Sequence, residues 1–438
     1  MFGRCLRIVM ATDSARLPAL IFGKRNSIRE FMSKVKDVRW ALESAKEAAG
    51  ILRVAAVYGA LAALSASAEG LAMDRGDRVR EVLERYVDAG RISGVVSAVS
   101  DRSGNVRFDC VGWADVENRV PMATNTMFAV FSMTKTFNGA AIMAAIDDGA
   151  MSLDDEVSKY LPEFSDVKVR ETNETGQVVL VPPRRPLKIR DLVTHTSGSR
   201  SSPPIVKRAV PLREIARRMA AEPLVAHPGE RFSYGNAWVD ASAAALEVAV
   251  GMPYENWLKA RILGPLGMRD TTFTPSPEQI SRMVRAYTSD DGKLRPATDL
   301  CSGQLVFPWA EKVYPAASAG LFSTPADMVR FSQMLAAHGT WRGRQIISRR
   351  TFDTVFAQKQ TPAGIVQPYC VGAWLYDDWL GHEGAMRTDQ RANLKEGLCR
   401  VFFIQTENKA GPAFFSLKKE WNAACDLMQG TPPFNPKN

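Results

Sequence analysis

Histidine and cysteine are scarce in this chain of 438 residues: His195, His227, His338 and His382 are all there is of one, and Cys5, Cys110, Cys301, Cys370, Cys399 and Cys425 of the other. There is no His-x-x-x-His, no Cys/His cluster and no Cys-x-x-Cys, so a zinc site is not expected. Cys5 falls in an N-terminal presequence. The five thiols left are scattered and odd in number, which argues against a disulfide framework and for buried single cysteines. No glycine-rich phosphate cradle occurs, and no cofactor is expected. Also missing is the Gly-x-Ser-x-Gly of an α/β-hydrolase; the nearest stretch, Ala316-Ala317-Ser318-Ala319-Gly320, lacks the first glycine. Internal repeats, low-complexity tracts and linkers between independent domains are absent as well.

A basic body is a further absence. The net charge of +9 is carried mostly by residues 1–68, which hold 11 of the 56 Lys and Arg but only 5 of the 47 Asp and Glu. Nothing in the remainder argues for a nucleic-acid partner.

What is present is an ordered alternation of elements. Residues 73–94 read as a helix with Val79, Val82, Leu83 and Val87 on one stripe and a stop at Gly90. Two β-like runs, 95–100 and 106–116, flank the turn Arg102-Ser103-Gly104-Asn105 and predict a hairpin. After FAVFS the period turns helical, with Phe137, Ala141, Ile142 and Ala145 on one face. A stretch rich in proline and charge, 162–187, reads as a connection to a helical middle; Thr324 and Pro325 read as the cap and first turn of a later helix. Strand patterns return at 370–376 and 399–407, before a last helix over 413–428. The economical arrangement is α+β: one antiparallel sheet from both ends of the chain, flanked by helices, in a sheet lobe of about 75–160 and 305–438, plus an all-helical lobe of about 161–304.

The chemistry-bearing stretch is FSMTKTF, where Ser132 stands at a strand-to-helix junction and Lys135 three residues on. Both project from one side of the first helical turn, where free N–H groups can polarise a carbonyl and the setting favours a lysine acting as a base. Ser33/Lys36, Ser165/Lys168 and Ser416/Lys419 repeat the spacing without that junction. Tyr234 and Asn236, two apart in PGERFSYGN, and His382-Glu383-Gly384 complete an ordered trio, against the decoys Tyr254/Asn256 and His227/Gly229.

The trio, together with RDLVTHTSG, PGERFSYGN, ILGPLGMRDTTF and SAGLFSTPADMVRF, resembles the serine penicillin-recognising hydrolases, the β-lactamase-like group of class C β-lactamases, serine DD-peptidases, D-aminopeptidases and family VIII carboxylesterases. The resemblance runs from about residue 75 to 430 and implies a β-lactamase/transpeptidase-like fold. By position it implies Ser132 as nucleophile, Lys135 as base, Tyr234 as proton relay and the N–H groups of Ser132 and Ala385 as the oxyanion hole beside Gly384. Asn236 would orient the substrate or Lys135, and His195 would be structural. The implied substrate is a small ester, amide or β-lactam. Because His382 and Glu383 stand where β-lactamases carry Lys and Thr, a carboxylesterase on small neutral esters is expected ahead of a β-lactamase, a DD-carboxypeptidase or a D-aminopeptidase. Arg387 is a candidate replacement cation. A non-catalytic sensor of peptidoglycan is the reading from another class.

The N-terminal segment has its own logic. Ile51–Gly70 places the apolar run Val54–Leu64 after basic residues and before Ala66-Ser67-Ala68, the small-x-small pattern of signal-peptide cleavage. The run is too short and too rich in alanine for a membrane span. Ile28, Phe31, Val35, Val38 and Leu42 also fit one face of a helix. Residues 1–68 are therefore expected to be a presequence, with export to a periplasm or secretion; an organellar transit peptide or an uncleaved extension are the competing readings. Export predicts that protein recovered from its native host begins at Glu69, which N-terminal sequencing checks; an intact presequence removes the argument for export.

Overall fold

The computed structural model describes residues 75–200, 210–288, 293–297, 299–300, 305–306, 315–407 and 412–434. The presequence, Cys5, Cys301 and the proposed cleavage site lie outside them. The first helix, α1 (75–88), buries Val79 and Leu83. It leads into the expected hairpin, β1 (Gly94–Ser100) and β2 (Val106–Asp115), paired from Gly94↔Gly112 to Ser100↔Val106. The turn is locked by Asp101, whose Oδ1 accepts from the N–H groups of Ser103 and Asn105 at 2.8 and 3.0 Å. A short edge strand, β3 (Val120–Pro121), follows. Helix α2 (Thr134–Asp147) begins where the period changes, but every residue from Thr134 to Ala145 is buried, so it runs through the core rather than along its surface.

The proline- and charge-rich stretch is not only a connection. It holds an antiparallel hairpin, β4 (Val169–Thr172) and β5 (Val178–Val181), with Val178 and Leu180 facing outward. The helical middle follows as α3 (Ile189–Val193), α4 (Leu212–Ala220), α5 (Ala237–Val250) and α6 (Tyr254–Leu258). Helix α7 (Pro325–Ala336) starts as expected, with the Thr324 hydroxyl accepting from the Asp327 N–H at 3.2 Å and Pro325 in the first turn.

The C-terminal part supplies β6 (Trp374–Tyr376), β7 (Trp379–Glu383), β8 (Thr388–Asn393), β9 (Leu398–Phe403) and helix α8 (Pro412–Gln429). Seven strands form one antiparallel sheet in the order β6-β7-β8-β9-β1-β2-β3, so the first strand of the described chain pairs with the last of the sheet. Helices cover both faces. Val96, Ala98, Val401 and Phe403 point into the main core, with α2 and α7. Val95, Val99 and Phe402 point the other way, onto Val79 and Leu83 of α1 and Leu417, Trp421 and Cys425 of α8.

Two C-terminal segments depart from the expected pattern. Residues 370–372 do not continue β6. They cross α2 so closely that a Cβ on Gly372 would lie 2.1 Å from the Lys135 carbonyl oxygen, and one on Gly139 2.2 Å from that of Val371. Strand β8 reads TDQRAN, with no apolar alternation, yet all six residues are buried. Gln390 accepts from Ser332 of α7 at 3.2 Å, and Asp389 pairs with Arg391 at 3.0 Å and with Lys418 of α8.

A second buried charge anchors α8. Arg400 of β9 is fully buried, stacked 4.3 Å over Trp379, with its guanidinium on Asp426 at 2.6 Å and Gln429 at 2.7 Å. Truncating Asp426 to alanine strands that cation in the interior. Asp426→Ala is expected to cost about 3–5 kcal/mol in urea denaturation, and Asp426→Asn clearly less.

Candidate active site

Ser132 lies in a 3-10 turn, Phe131–Met133, which opens into α2, and it is the one residue between Met127 and Ala145 that is not fully buried. The turn is tight. Phe131 has φ of +45°, a conformation that costs a non-glycine residue about 1–3 kcal/mol and persists only when its surroundings hold it. Those surroundings are visible: the Thr134 hydroxyl donates to the Phe131 carbonyl at 2.6 Å and accepts from the Leu321 N–H at 3.2 Å. The Phe131 ring packs with Ala129, Ala286, Ala297 and Met386.

Lys135 is completely buried. Its Nζ is 3.1 Å from Ser132 Oγ, 2.8 Å from Asn236 Oδ1 and 2.8 Å from the Ser318 carbonyl oxygen. Among the described residues no carboxylate lies within ion-pair distance of it. The last two partners only accept; for Lys135 to act as a base, the amine gives its two N–H bonds to them and turns its lone pair toward Ser132 Oγ. Sequence reasoning missed two members of this arrangement. Ser318, noticed only as a failed nucleophile motif, contributes its carbonyl. Asp240, one helical turn beyond Asn236, accepts from the Ser318 N–H at 2.8 Å and so fixes that peptide. The four-residue spacing from Asn236 was the available signal for Asp240; a backbone carbonyl gives none.

Tyr234 stands over this amine, its ring centroid 4.8 Å from Nζ, and is 37% exposed. Its hydroxyl is 3.4 Å from His382 Nε2. Burial, with the Lys135 charge nearby, holds His382 well below the ordinary histidine range, so the ring is neutral at pH 7. The Nδ1 atom is 2.7 Å from the Glu383 carbonyl, which can only accept; the proton is therefore on Nδ1, and Nε2 accepts from the tyrosine hydroxyl.

Strand alternation settles the neighbours of His382. Glu383 is exposed on the opposite face and pairs with Arg391 at 3.5 Å. The Arg387 guanidinium stacks 4.5 Å over Phe414. Gly384 is held close to the turn before Ser132: a Cβ there would lie 2.5 Å from the Val130 carbonyl oxygen and 2.2 Å from Thr388 Oγ1. Ala385 follows it, exposed, in the turn between β7 and β8. The structure thus brings Ser132, Lys135, Tyr234, Asn236 and His382 together, with Gly384 and Ala385 beside them.

The remaining candidates lie elsewhere. His227 pairs with Glu171 at 2.6 Å, and His338 with Asp353 at 2.5 Å. Among the described residues no group of His, Cys, Asp or Glu is arranged to hold a metal. Cys110, Cys370, Cys399 and Cys425 are free thiols, and burial pushes Cys399 to about 11 and Cys425 to about 12, which leaves them protonated at neutral pH.

Comparison with known proteins identifies the family and the fold. The Beta-lactamase family profile matches residues 79–422. Protein Rv1367c of Mycobacterium tuberculosis is 32% identical over 282 residues, 62% of this chain and 68% of that one. The D-alanyl-D-alanine-carboxypeptidase/endopeptidase AmpH of Escherichia coli is 31% identical over 58% of this chain and 61% of its own, and esterase EstB of Burkholderia gladioli 28% identical over 60% and 70%. Among solved structures, EstCE1, described as a hydrolase with promiscuous acyltransferase activity, superposes with a TM-score of 0.68 at 23% identity, covering 82% of this chain and 99% of its own. The D-amino acid amidase of Ochrobactrum anthropi does so with 0.63 at 20% identity, covering 82% and 99%, and both show the shared fold. With the profile spanning the described sheet, helices and site alike, the chain belongs to the Beta-lactamase family of serine hydrolases.

Proposed function

We propose that this hydrolase is a carboxylesterase for small neutral esters, with Ser132 as nucleophile. The observation that carries the substrate reading is the state of His382: neutral, with both ring nitrogens already engaged, it presents no cation to a substrate carboxylate. Glu383 is turned onto Arg391, and Arg387 is stacked on Phe414. A β-lactam or a D-Ala terminus, each carrying a carboxylate, loses the charged hydrogen bond that a lysine in the third motif would supply. The similarity to EstB supports the same reading, whereas that to AmpH supports peptide hydrolysis.

The reaction proceeds in two halves. The Lys135 lone pair takes the Ser132 proton as Oγ attacks the ester carbonyl; the new oxyanion lies between the N–H groups of Ser132 and Ala385. Collapse breaks the C–O bond to the alcohol, which leaves with a proton from Tyr234; the proton that Lys135 took from Ser132 replaces it and frees the amine for the second half. Water then repeats the attack on the acyl-serine and releases the acid. Asn236 holds Nζ in line throughout. The pattern ending at Ala66-Ser67-Ala68 supports the further proposal that this chemistry takes place in a periplasm or outside the cell.

Since Ser132 and Lys135 act as one unit, Ser132→Ala and Lys135→Ala are each expected to lower kcat on p-nitrophenyl butyrate by about 1,000-fold or more, and the double variant no further. Full ester hydrolysis by Ser132→Ala sinks the assignment. Across p-nitrophenyl butyrate, nitrocefin and a D-Ala-D-Ala peptide, kcat/KM is expected to be highest for the ester. A higher value for nitrocefin or the peptide reverses the substrate ranking while keeping the nucleophile.

A further inference from the structure

His195, which the resemblance makes structural, is bonded to the segment that carries Tyr234. The loop 194–198, THTSG, is clamped onto the segment that carries Tyr234 by a ladder of backbone bonds. Val225 N–H donates to the Gly198 carbonyl at 2.7 Å, Gly229 N–H to Thr196 at 2.7 Å and Ser233 N–H to His195 at 2.8 Å. Gly198, with φ of +81°, permits the approach, since a Cβ there would be 2.0 Å from the Ala226 carbonyl oxygen. The loop is itself held by Asp191, which is fully buried, takes two bonds from Arg185 at 2.7 and 2.8 Å and accepts from the Thr196 hydroxyl at 3.3 Å.

At the top of this ladder the bonding passes from backbone to side chain. Gly235 N–H donates to His195 Nδ1 at 3.4 Å. His195 therefore grips the residue on each side of Tyr234, Ser233 with its carbonyl and Gly235 with its ring, while the ring faces the tyrosine ring at 4.5 Å between centroids. Tyr369 and Phe232 close the other sides at 4.8 and 5.6 Å. The residue holds φ of +59° to do so, in the left-handed region that a non-glycine side chain enters at a cost. With Nδ1 accepting and the ring kept neutral by burial, the proton is on Nε2. That atom and the buried Tyr369 hydroxyl make no hydrogen bond to any described residue, although the two rings are neighbours. A histidine kept only to fill the core has no need of a strained backbone or of an unsatisfied N–H.

We propose that His195 is a positioning residue for Tyr234: by holding both flanking peptides and one face of the ring, it sets where the tyrosine hydroxyl stands relative to Lys135 and His382. The inference rests on the Ser132 hydrolase reading, in which Tyr234 relays the leaving-group proton. It gives the LVTHTSG stretch a part in turnover that its distance in sequence from Tyr234 conceals.

The test is a double-mutant cycle in the full chain on p-nitrophenyl butyrate, with His195→Gly and His195→Asn made alone and with Tyr234→Phe. Both substitutions tolerate a positive φ, but only asparagine keeps an acceptor near Gly235. His195→Gly is expected to lower kcat by about 10- to 100-fold with KM within about two-fold, the scale of a misplaced catalytic group. His195→Asn is expected to recover most of that, losing about three- to ten-fold for want of the ring contact. In the Tyr234→Phe background neither is expected to cost more than about two-fold, because the group they position is gone. Equal losses in both backgrounds, or native kcat in His195→Gly, overturn the inference. If His195→Gly does not fold, the cycle with His195→Asn decides in the same way. Unchanged turnover in Tyr234→Phe alone removes instead the hydrolase reading of Tyr234 on which the inference stands.

Discussion

The Lys135 amine is the point on which the molecule converges. Its three partners come from three separated parts of the chain: Ser132 from its own helical turn, Asn236 from the start of α5, and the Ser318 carbonyl from the loop before α7. A lysine nitrogen at zero exposure is costly unless its polar partners are in place, so the three segments must arrive in register around it. The constraint propagates outward. Asp240 fixes the Ser318 peptide, the glycine pair at 139 and 372 lets residues 370–372 pass against the backbone of α2, and Gly384 brings the end of β7 against Val130. The geometry that readies a nucleophile is thus the same geometry that closes the core.

Where the sequence was legible, a side-chain pattern recorded the physics. The β1/β2 hairpin follows from two apolar runs and a polar turn, the start of α7 from Thr324 and Pro325, and the trio Ser132-x-x-Lys135, Tyr234-x-Asn236 and His382-x-Gly384 from residue identity in order. The illegible parts are those in which burial is achieved by pairing rather than by greasiness. Strand β8 looks like a surface loop because its buried charges are paired, Asp389 with Arg391 and with Lys418, and no local window contains that lysine. Residues 370–372 looked like strand because they are apolar, whereas two glycines set them across a helix.

The same distinction explains the site. Motif reasoning found every side chain that contacts the Lys135 amine and missed Ser318, whose contribution is a carbonyl that any residue type carries. It gave His195 a structural role but no partner in the Tyr234 segment, because its neighbours there, Gly235 and Ser233, present only backbone N–H groups. Its open question about Glu383 was one of strand parity, and the pairing of His382 with Gln390 and of Glu383 with Asp389 answers it by turning the carboxylate away from Lys135.

The pairing of β1 with β9 joins Val96 to Phe403, positions about 300 residues apart. A ribosome delivers β1 early, and one of its edges then has no partner until almost the whole chain has emerged. Such a contact closes slowly, because the loop it seals is the length of the domain. In the interval GVVSAVS is an uncharged, β-prone segment of the kind that seeks strands in other molecules. The sheet that carries His382 and Gly384 is therefore among the last parts to form, and the burden of keeping the unfinished chain apart from its copies falls on the cell.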